Sequence, residues 1–251
     1  MKILVCFKYI RDENEITVNP DRTLHTDNAS WIISPYDTNA IEAGMKLAAS
    51  AEGSIVEVLT IGGEAVDQSK MRKAVLSRGP SKLYAVRWDR CGDLYATAVL
   101  LRQAIERIGG VDLVICGDGS GDTYSQILGS MLGALMGLPT VNAVNSLSLE
   151  EGKLLVSRTV GGRTETLRLS APAVVSVSSD ICRPRIPSMK DILGAGKKPV
   201  EVWDASEFGM ETSRAISLSV LAPETTERLR KVYKDSDEGL AEFAAVLRNH
   251  L

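Results

Sequence analysis

Apolar runs and amphipathic segments alternate over the first 140 residues. Short continuous apolar runs are typical of strands buried on both faces of a sheet, and longer stretches with an apolar stripe are typical of helices. We predict strands at Ile3 to Phe7, Ser54 to Ile61, Lys82 to Val86 and Val111 to Ile115. We predict helices that begin at Pro35, at Glu64, at Asp93, and at Asp122 or Thr123. This alternation indicates an α/β fold with a doubly wound, mostly parallel sheet of the Rossmann-like, adenine-nucleotide-binding type.

The helix that begins at Pro35 has a clear start signal. Ser34 can serve as its N-cap, and proline is favoured at the first helical position. We predict that its apolar stripe consists of Ile41, Met45, Ala48 and Ala49. The helix after it should end before Arg78-Gly79-Pro80.

After Pro139 the period changes from helical to strand-like. Apolar and polar residues alternate between 146 and 169, with turns at Glu151-Gly152 and Gly161-Gly162. This pattern predicts a small antiparallel addition to the sheet, with one face exposed to solvent. Ala173 to Val177 should be a further buried strand. Beyond it the sequence loses the pattern of a core, with a basic proline-rich segment followed by a basic turn over 194–199.

The C-terminal part predicts an extended arm. Trp203 to Asp235 has little periodicity, and a last helix from Ser236 to about Asn249 carries an apolar stripe. That stripe, formed by Leu240, Phe243 and Leu247, must pack on its own domain or on a partner, and the weakly structured connector favours a partner. We therefore predict a nucleotide-binding domain over residues 1–200, with ribbons around 146–169, and a C-terminal arm with a docking helix over 201–251.

A glycine-rich turn follows the fourth predicted strand, at residues 117–121. Thr123 and Gln126 have the spacing of a capping box, so we predict a helix from there to about Gly137, stopped by Leu138-Pro139. Backbone N–H groups and the positive end of a helix dipole converge at such a turn. The stretch therefore predicts a site for a nucleotide phosphate or another anion at the carboxyl edge of the sheet.

A structural interpretation of the same stretch stays open. Gly129, Gly133 and Gly137 recur every four residues, a spacing that lets a helix lie close on a sheet. Asp118 and Asp122 put negative charge where an anion would sit. The spacing matches neither the dinucleotide fingerprint nor the Walker loop, which needs a lysine that is absent here.

Composition narrows the class of protein. The 251 residues are 44% hydrophobic and 24% charged with a net charge of −3, so no basic field favours nucleic acid or an acidic membrane. Cys6, Cys91, Cys116 and Cys182 lie far apart, which argues against a disulfide scaffold, a zinc site or an iron–sulfur cluster. Lys8 and Arg11 interrupt the apolar start before a signal-peptide core can form, and no run is long enough to cross a bilayer. We expect a cytoplasmic protein.

Several motifs together resemble one family, the beta (small) subunit of electron transfer flavoprotein, and above all its Fix-type branch. They span nearly the whole chain in the family order, at residues 1–13, 33–43, 75–80, 116–122, 185–190 and 192–200. The resemblance implies a heterodimer with a larger alpha subunit that holds the redox-active FAD. It also implies a C-terminal arm that wraps this partner.

The resemblance implies two sites in this chain. In the family the beta subunit binds AMP or, in the electron-bifurcating branch, a second FAD. Carried over by position, the residues of this nucleotide pocket are Cys6, Ser34, Pro35, Tyr36, Asp37, Ile61, Gly117, Asp118, Gly119, Ser120, Gly121, Asp122, Thr123, Tyr124, Ser125, Gln126, Ile127 and Leu128. The loop that docks onto an acyl-CoA dehydrogenase-type flavoenzyme, in pathways such as enoyl-CoA or crotonobetaine reduction, falls on Arg185, Ile186, Pro187, Ser188, Met189 and Lys190, with Met189 as the apolar anchor.

The phosphate loop departs from both branches of the family. Gln126, Ile127 and Leu128 stand where the ordinary branch carries Asn-Gln-Thr. Against the bifurcating pattern Asp-Gly-Asp-Thr-Ala-Gln-Val-Gly, only Asp122 and Gly129 are kept. AMP, a second FAD and an empty pocket therefore stay as alternatives.

Two other classes of function were weighed. A nucleotide-binding stress or signalling protein of the same fold would need neither the basic proline-rich loop nor the docking helix. An ATP-using synthetase or pyrophosphatase would need a serine- and glycine-rich loop after the first strand, where Lys8-Tyr9-Ile10-Arg11 stand. No Ser–His–Asp, Cys–His or paired-carboxylate constellation stands out, and His25 and His250 have the context of surface residues. We expect an electron-carrier subunit and not an enzyme, with no metal site.

Overall fold

A computed structural model describes residues 1–88, 93–209, 215, 217–224 and 230–250. Cys91, and parts of the predicted connector between Trp203 and Asp235, lie outside the described residues. The strands are β1 (Lys2–Cys6), β2 (Tyr9–Arg11), β3 (Thr17–Val18), β4 (Leu24–His25), β5 (Trp31–Ile33), β6 (Ile55–Gly62), β7 (Lys82–Arg87), β8 (Leu113–Gly117), β9 (Thr140–Glu150), β10 (Lys153–Val160), β11 (Arg163–Leu169), β12 (Ala173–Val177) and β13 (Val200–Asp204). The helices are α1 (Pro35–Ala49), α2 (Ser69–Leu76), α3 (Leu94–Ile108), α4 (Leu128–Met136), α5 (Met189–Ala195) and α6 (Asp237–His250).

Nine of these strands form one sheet in the order β11-β10-β9-β12-β8-β1-β6-β7-β13. The six pairs of neighbouring strands from β9 across the sheet to β13 are parallel. The other two pairs, β9–β10 and β10–β11, are antiparallel. This arrangement confirms the predicted α/β fold with a mostly parallel sheet. From β1 the chain proceeds to β6 and β7 on one side and later to β8 and β12 on the other. The carboxyl ends of β1 and β8 therefore flank the point where the strand order reverses, which is the usual ligand site of such sheets.

The core lies on both faces of the sheet. Ile3 and Val5 pack on one face with α1, whereas Leu4 and Cys6 pack on the other with α3 and α4. Successive side chains of a strand point to opposite faces, so a strand covered on both faces is apolar throughout. This explains why the central strands were readable as continuous apolar runs.

Several predicted element boundaries are wrong. In α1 the predicted stripe is confirmed for Ile41, Met45 and Ala48, which pack in or against the core, but Ala49 is exposed and the unpredicted Leu47 is buried. The predicted helix from Glu64 is a short 3-10 turn followed by α2, with Gln68 in an extended conformation between them.

The expectation that the core ends after Val177 is also wrong. α5 and β13 follow, and β13 completes the sheet beside β7. Trp203 on β13 is buried, and its ring stacks on Tyr84 with a centroid separation of 5.4 Å. Burial of this tryptophan gives the edge strand a large apolar contact. The predicted boundary between domain and arm at residue 200 stays a prediction.

The chain forms two compact units, residues 1–17 with 25–219, and residues 18–24 with 220–251. Within the second unit, Thr23 and Leu221 form an antiparallel bridge, and Ala222 N–H donates to the carbonyl of Arg22 at 2.8 Å. Helix α6 belongs to this unit and agrees with the predicted last helix. Its stripe residues Leu240 and Leu247 remain exposed.

Candidate functional site

The candidate site lies at the switch point, where the start of α1 meets the end of β8. A Cβ atom on Gly117 would stand 2.6 Å from Oδ1 of Asp37, so the last residue of β8 must lack a side chain. The backbone N–H of Gly121 donates to Oγ of the fully buried Ser34 at 3.3 Å. Ser34 occupies the N-cap position of α1 but makes no side-chain capping bond there. Its hydroxyl instead joins α1 to the loop after β8.

Asp37 is a buried carboxylate in the first turn of α1. Its Oδ2 accepts a hydrogen bond from the backbone N–H of Lys8 at 2.7 Å, which ties the end of β1 to α1. Burial raises the pKa of Asp37 to about 7, because desolvation of the charged form outweighs the backbone N–H groups of Lys8 and Gly117 that favour it. The site therefore contains a group that titrates near neutral pH.

The loop from Asp118 to Ile127 is closed by its own polar side chains. Nζ of Lys8 donates to Oδ2 of Asp122 at 2.5 Å, and Ser120 Oγ donates to Oδ1 of the same carboxylate. Burial opposes ionisation of Asp122, but the bonds from Lys8 and Ser120 outweigh it and lower the pKa. At the far end of the loop, the side-chain amide of Gln126 donates to Asp118 at 2.8 Å.

These contacts correct the predicted helix start. No helix begins at Asp122 or Thr123, since α4 starts at Leu128. Tyr124 and Gln126 have φ of 43° and 57°, values that a right-handed helix excludes. Gln126 bonds to Asp118 and does not complete a capping box with Thr123. The helix does end at Gly137, whose φ of 66° makes it a left-handed C-cap.

Tyr124 fills the space beside the glycine turn. Its ring lies where a side chain on Gly119 would be, and it packs against the ring of Tyr36 with centroids 4.9 Å apart. At Gly121 a Cβ atom would stand 2.7 Å from Ile10 and 3.2 Å from Pro35. The chain's own side chains thus occupy the space that the missing side chains leave.

The glycine row of α4 serves packing, as the structural interpretation predicted. A side chain on Gly129 would collide with Ser176 of β12, and one on Gly133 would collide with Thr140 of β9. The absence of both side chains lets the helix approach two neighbouring strands closely.

The residues present do not fit a nucleotide phosphate in this arrangement. The backbone N–H of Tyr124, one of the predicted pocket residues, donates to the carbonyl of Ser120 at 3.0 Å and is not free to bind a phosphate. The carboxylates of Asp118 and Asp122 stand at the loop, and Lys8 is already paired with Asp122. A dianionic phosphate would have to displace Asp122 from Lys8 and meet the remaining acidic charge. The first intrahelical bond of α4 runs from the N–H of Met131 to the carbonyl of Ile127, so the N–H groups that this helix does not pair internally lie before Met131.

The predicted pocket residues converge only in part. Ser34, Pro35, Tyr36 and Asp37 meet the stretch from Gly117 to Gln126 in the contacts described above. Cys6 is buried beneath them and pairs in register with Leu59, so Ile61 stands two residues further along β6 at the same edge. Lys8 and Ile10 were not predicted to belong to this site, although both lie within four residues of the end of β1, at the carboxyl edge where loops form sites.

The predicted docking loop forms a second surface. Ile186 has a relative exposure of 95%. Met189 and Leu193, both on helix α5, have relative exposures of 72% and 73%. Ser188 caps α5 in a capping box with Asp191, whose carboxylate accepts from the Ser188 N–H at 2.9 Å. Exposed apolar side chains on an ordered segment are typical of a protein-binding surface.

The doubly wound sheet, with its loop at the switch point, is an architecture that many unrelated proteins share. A family model described as the electron transfer flavoprotein domain matches residues 21–208. The chain belongs to this family. The assignment supports a role in electron transfer with a flavin and argues against the stress-protein and synthetase alternatives. In the part of the chain that the structure describes, no helix is long and apolar enough to cross a membrane.

Proposed function

We propose that this chain is the beta subunit, of the Fix-type branch, of a heterodimeric electron transfer flavoprotein. In this role it carries electrons between a flavin of the complex and an acyl-CoA dehydrogenase-type flavoenzyme, in reactions such as enoyl-CoA or crotonobetaine reduction. The observation that carries the proposal is the exposed apolar surface formed by Ile186, Met189 and Leu193. Family membership supports it independently.

The redox-active FAD belongs to the alpha subunit in this proposal, and it supplies the capacity to accept and release electrons. The chain's own contribution is the surface that brings two flavoproteins together. Met189 occupies the first position of α5, where Ser188 and Asp191 fix the helix start. A flexible thioether on a fixed backbone suits a transient contact.

The proposal assigns no role to AMP or to a second FAD in this subunit. Tyr124 covers Gly119, and the ammonium group of Lys8 is already paired with Asp122. The candidate pocket residues instead hold the ends of β1 and β8 against α1. We propose that their role is structural in this chain.

The decisive experiment is a charge placed at the apolar anchor. In the heterodimer, Met189→Glu should slow electron exchange with an acyl-CoA dehydrogenase, because an unpaired carboxylate would be buried in the contact. Ile55→Glu is the matched control, since Ile55 is an exposed apolar residue at the amino end of β6. Equal rates for Met189→Glu and the wild type, with unchanged flavin content, would overturn the proposed function.

A further inference from the structure

The exposed docking loop is fixed at both of its ends by partly buried polar contacts. Its apolar tip, residues 186–193, has almost no packing of its own, since Ile186, Met189 and Leu193 face solvent. An exposed segment of this kind keeps one conformation only if its flanks are held. The holding residues come from α1 and from the end of α2.

The first anchor is Glu42 on α1. Its carboxylate is nearly buried. It accepts hydrogen bonds from Nε of Arg185 at 2.6 Å, from Nη2 at 3.1 Å and from the Arg185 backbone N–H at 3.3 Å. Such two-pronged geometry fixes direction as well as distance. Arg78 adds a third restraint, since its Nη1 donates to the carbonyl of Arg185 at 3.0 Å.

Asn39 extends the same anchor by one turn of α1. Its side-chain amide donates to the carbonyl of Cys182 at 2.6 Å and to that of Ser179 at 3.1 Å. The chain leading into the loop is thus bound to the same helix that carries Glu42.

The second anchor is Lys198, just after α5. Its ammonium group donates to the carbonyl of Leu76, the last residue of α2, at 2.8 Å, and to those of Gly79 at 3.0 Å and Pro80 at 2.7 Å in the turn that follows. All three donors of the ammonium are therefore satisfied, and the positive charge meets the negative end of a helix dipole. The loop is held between two separate attachment points.

We propose that Glu42 is a positioning residue for electron transfer, which holds Arg185 so that the apolar tip is presented in one docking-ready conformation. The inference rests on the proposed function of the loop, because positioning matters only if the tip docks. Glu42 has no direct contact with the docking partner in this scheme and acts through Arg185. Its removal should weaken partner binding and leave the transfer step within the docked complex unchanged.

The test compares Glu42→Gln and Arg185→Lys with the wild-type heterodimer. Both variants keep a hydrogen-bonding group but lose the charged two-pronged pair. Glu165→Gln is the matched control, because Glu165 pairs with Arg158 on the β10–β11 ribbon at 2.9 Å. Hydrogen exchange of peptides covering 183–193 should become about tenfold faster in the two test variants, as expected for the loss of a local restraint. The KM for an acyl-CoA dehydrogenase should rise about tenfold, which is the effect expected for the loss of one charge-assisted hydrogen-bonded pair. The kcat and the FAD content should stay unchanged.

The outcomes separate this inference from the proposed function. Unchanged exchange in Glu42→Gln and Arg185→Lys would overturn the positioning role. Faster exchange with an unchanged KM, while Met189→Glu still raises the KM, would overturn it as well and leave the docking loop standing. If neither Met189→Glu nor Glu42→Gln alters electron transfer, the proposed function itself fails, and the positioning role fails with it.

Discussion

The rings of Tyr36 and Tyr124 pack 4.9 Å apart across the switch point of the sheet. Tyr36 belongs to the first turn of α1, and Tyr124 belongs to the loop after β8. The contact therefore joins the start of α1 to the loop after β8. Tyr124 also covers Gly119, so its ring closes the glycine turn.

The first prediction concerns the nucleotide content of the heterodimer. We expect the purified wild type to release one FAD on acid extraction and no further adenine nucleotide, since the loop is closed by Tyr124 and Asp122. The double variant Tyr124→Gly, Asp122→Asn removes both obstacles. It should bind AMP about tenfold more tightly than the wild type, since a vacated Lys8 can contact a phosphate. A second equivalent of FAD or AMP in the wild type, found by chromatography of the extract, would contradict the closed-loop interpretation.

The second prediction concerns pH. The pKa of Asp37 is about 7 in the folded state, above the unfolded value of about 3.9, so the folded state binds the proton more tightly. This group therefore contributes relative stability below pH 4 that is lost as the pH rises through 7. The loss is on the order of 4 kcal/mol as an upper bound. Asp37→Asn should flatten the pH dependence of the free energy of unfolding between pH 4 and 7.

Urea unfolding at several pH values measures this slope. Asp180→Asn is the control, because Asp180 is exposed and its replacement should leave the wild-type slope unchanged. A wild-type slope in Asp37→Asn would show that burial of Asp37 does not govern the pH dependence.

The third prediction concerns the close approach of α4 to the sheet. Gly129→Ala should lower the free energy of unfolding by about 1–3 kcal/mol, because the new methyl group would collide with Ser176. Gly194→Ala on α5 is the matched control, since a Cβ atom there meets no neighbouring atom within 4 Å. The control should be neutral or stabilising by about 0.5–1 kcal/mol from helix propensity. Equal stabilities of the two variants in thermal unfolding would refute the close-packing role.

The sequence predicts the parallel sheet well because its central strands are covered on both faces. Ile3 and Leu4 point into the core on opposite faces of the sheet, so both must be apolar. The strand is therefore visible in the sequence as a continuous apolar run. The start of α4 was predictable only in part. Gln126 and Thr123 have capping-box spacing. In the structure, however, Gln126 donates a hydrogen bond to Asp118, and Asp122 pairs with Lys8. These partners are fixed by the tertiary fold. The edge strand β13, which contains Trp203, was not predicted for a related reason. It is a strand because it pairs with β7, whose residues lie more than a hundred positions earlier in the chain.

The last prediction concerns helix α6 of the second unit. Leu240 and Leu247 lie on one face of this helix with relative exposures of 61% and 43%. An amphipathic helix with an exposed apolar stripe gains its stability from packing against a partner. We propose that this partner is the alpha subunit. Leu240→Glu with Leu247→Glu should therefore raise the dissociation constant of the heterodimer by about thirtyfold or more, the effect of losing an interface hot spot.

Sedimentation velocity of the co-purified subunits measures this change. Ala245→Glu with Asn249→Glu adds the same two charges to another exposed face of the same helix and should leave the heterodimer intact. Circular dichroism of each variant should report unchanged helix content, so that dissociation reflects the lost contact and not an unfolded helix. If the double variant sediments as a heterodimer with the wild-type dissociation constant, the stripe of α6 is not the contact with the alpha subunit, and the prediction of a docking arm fails.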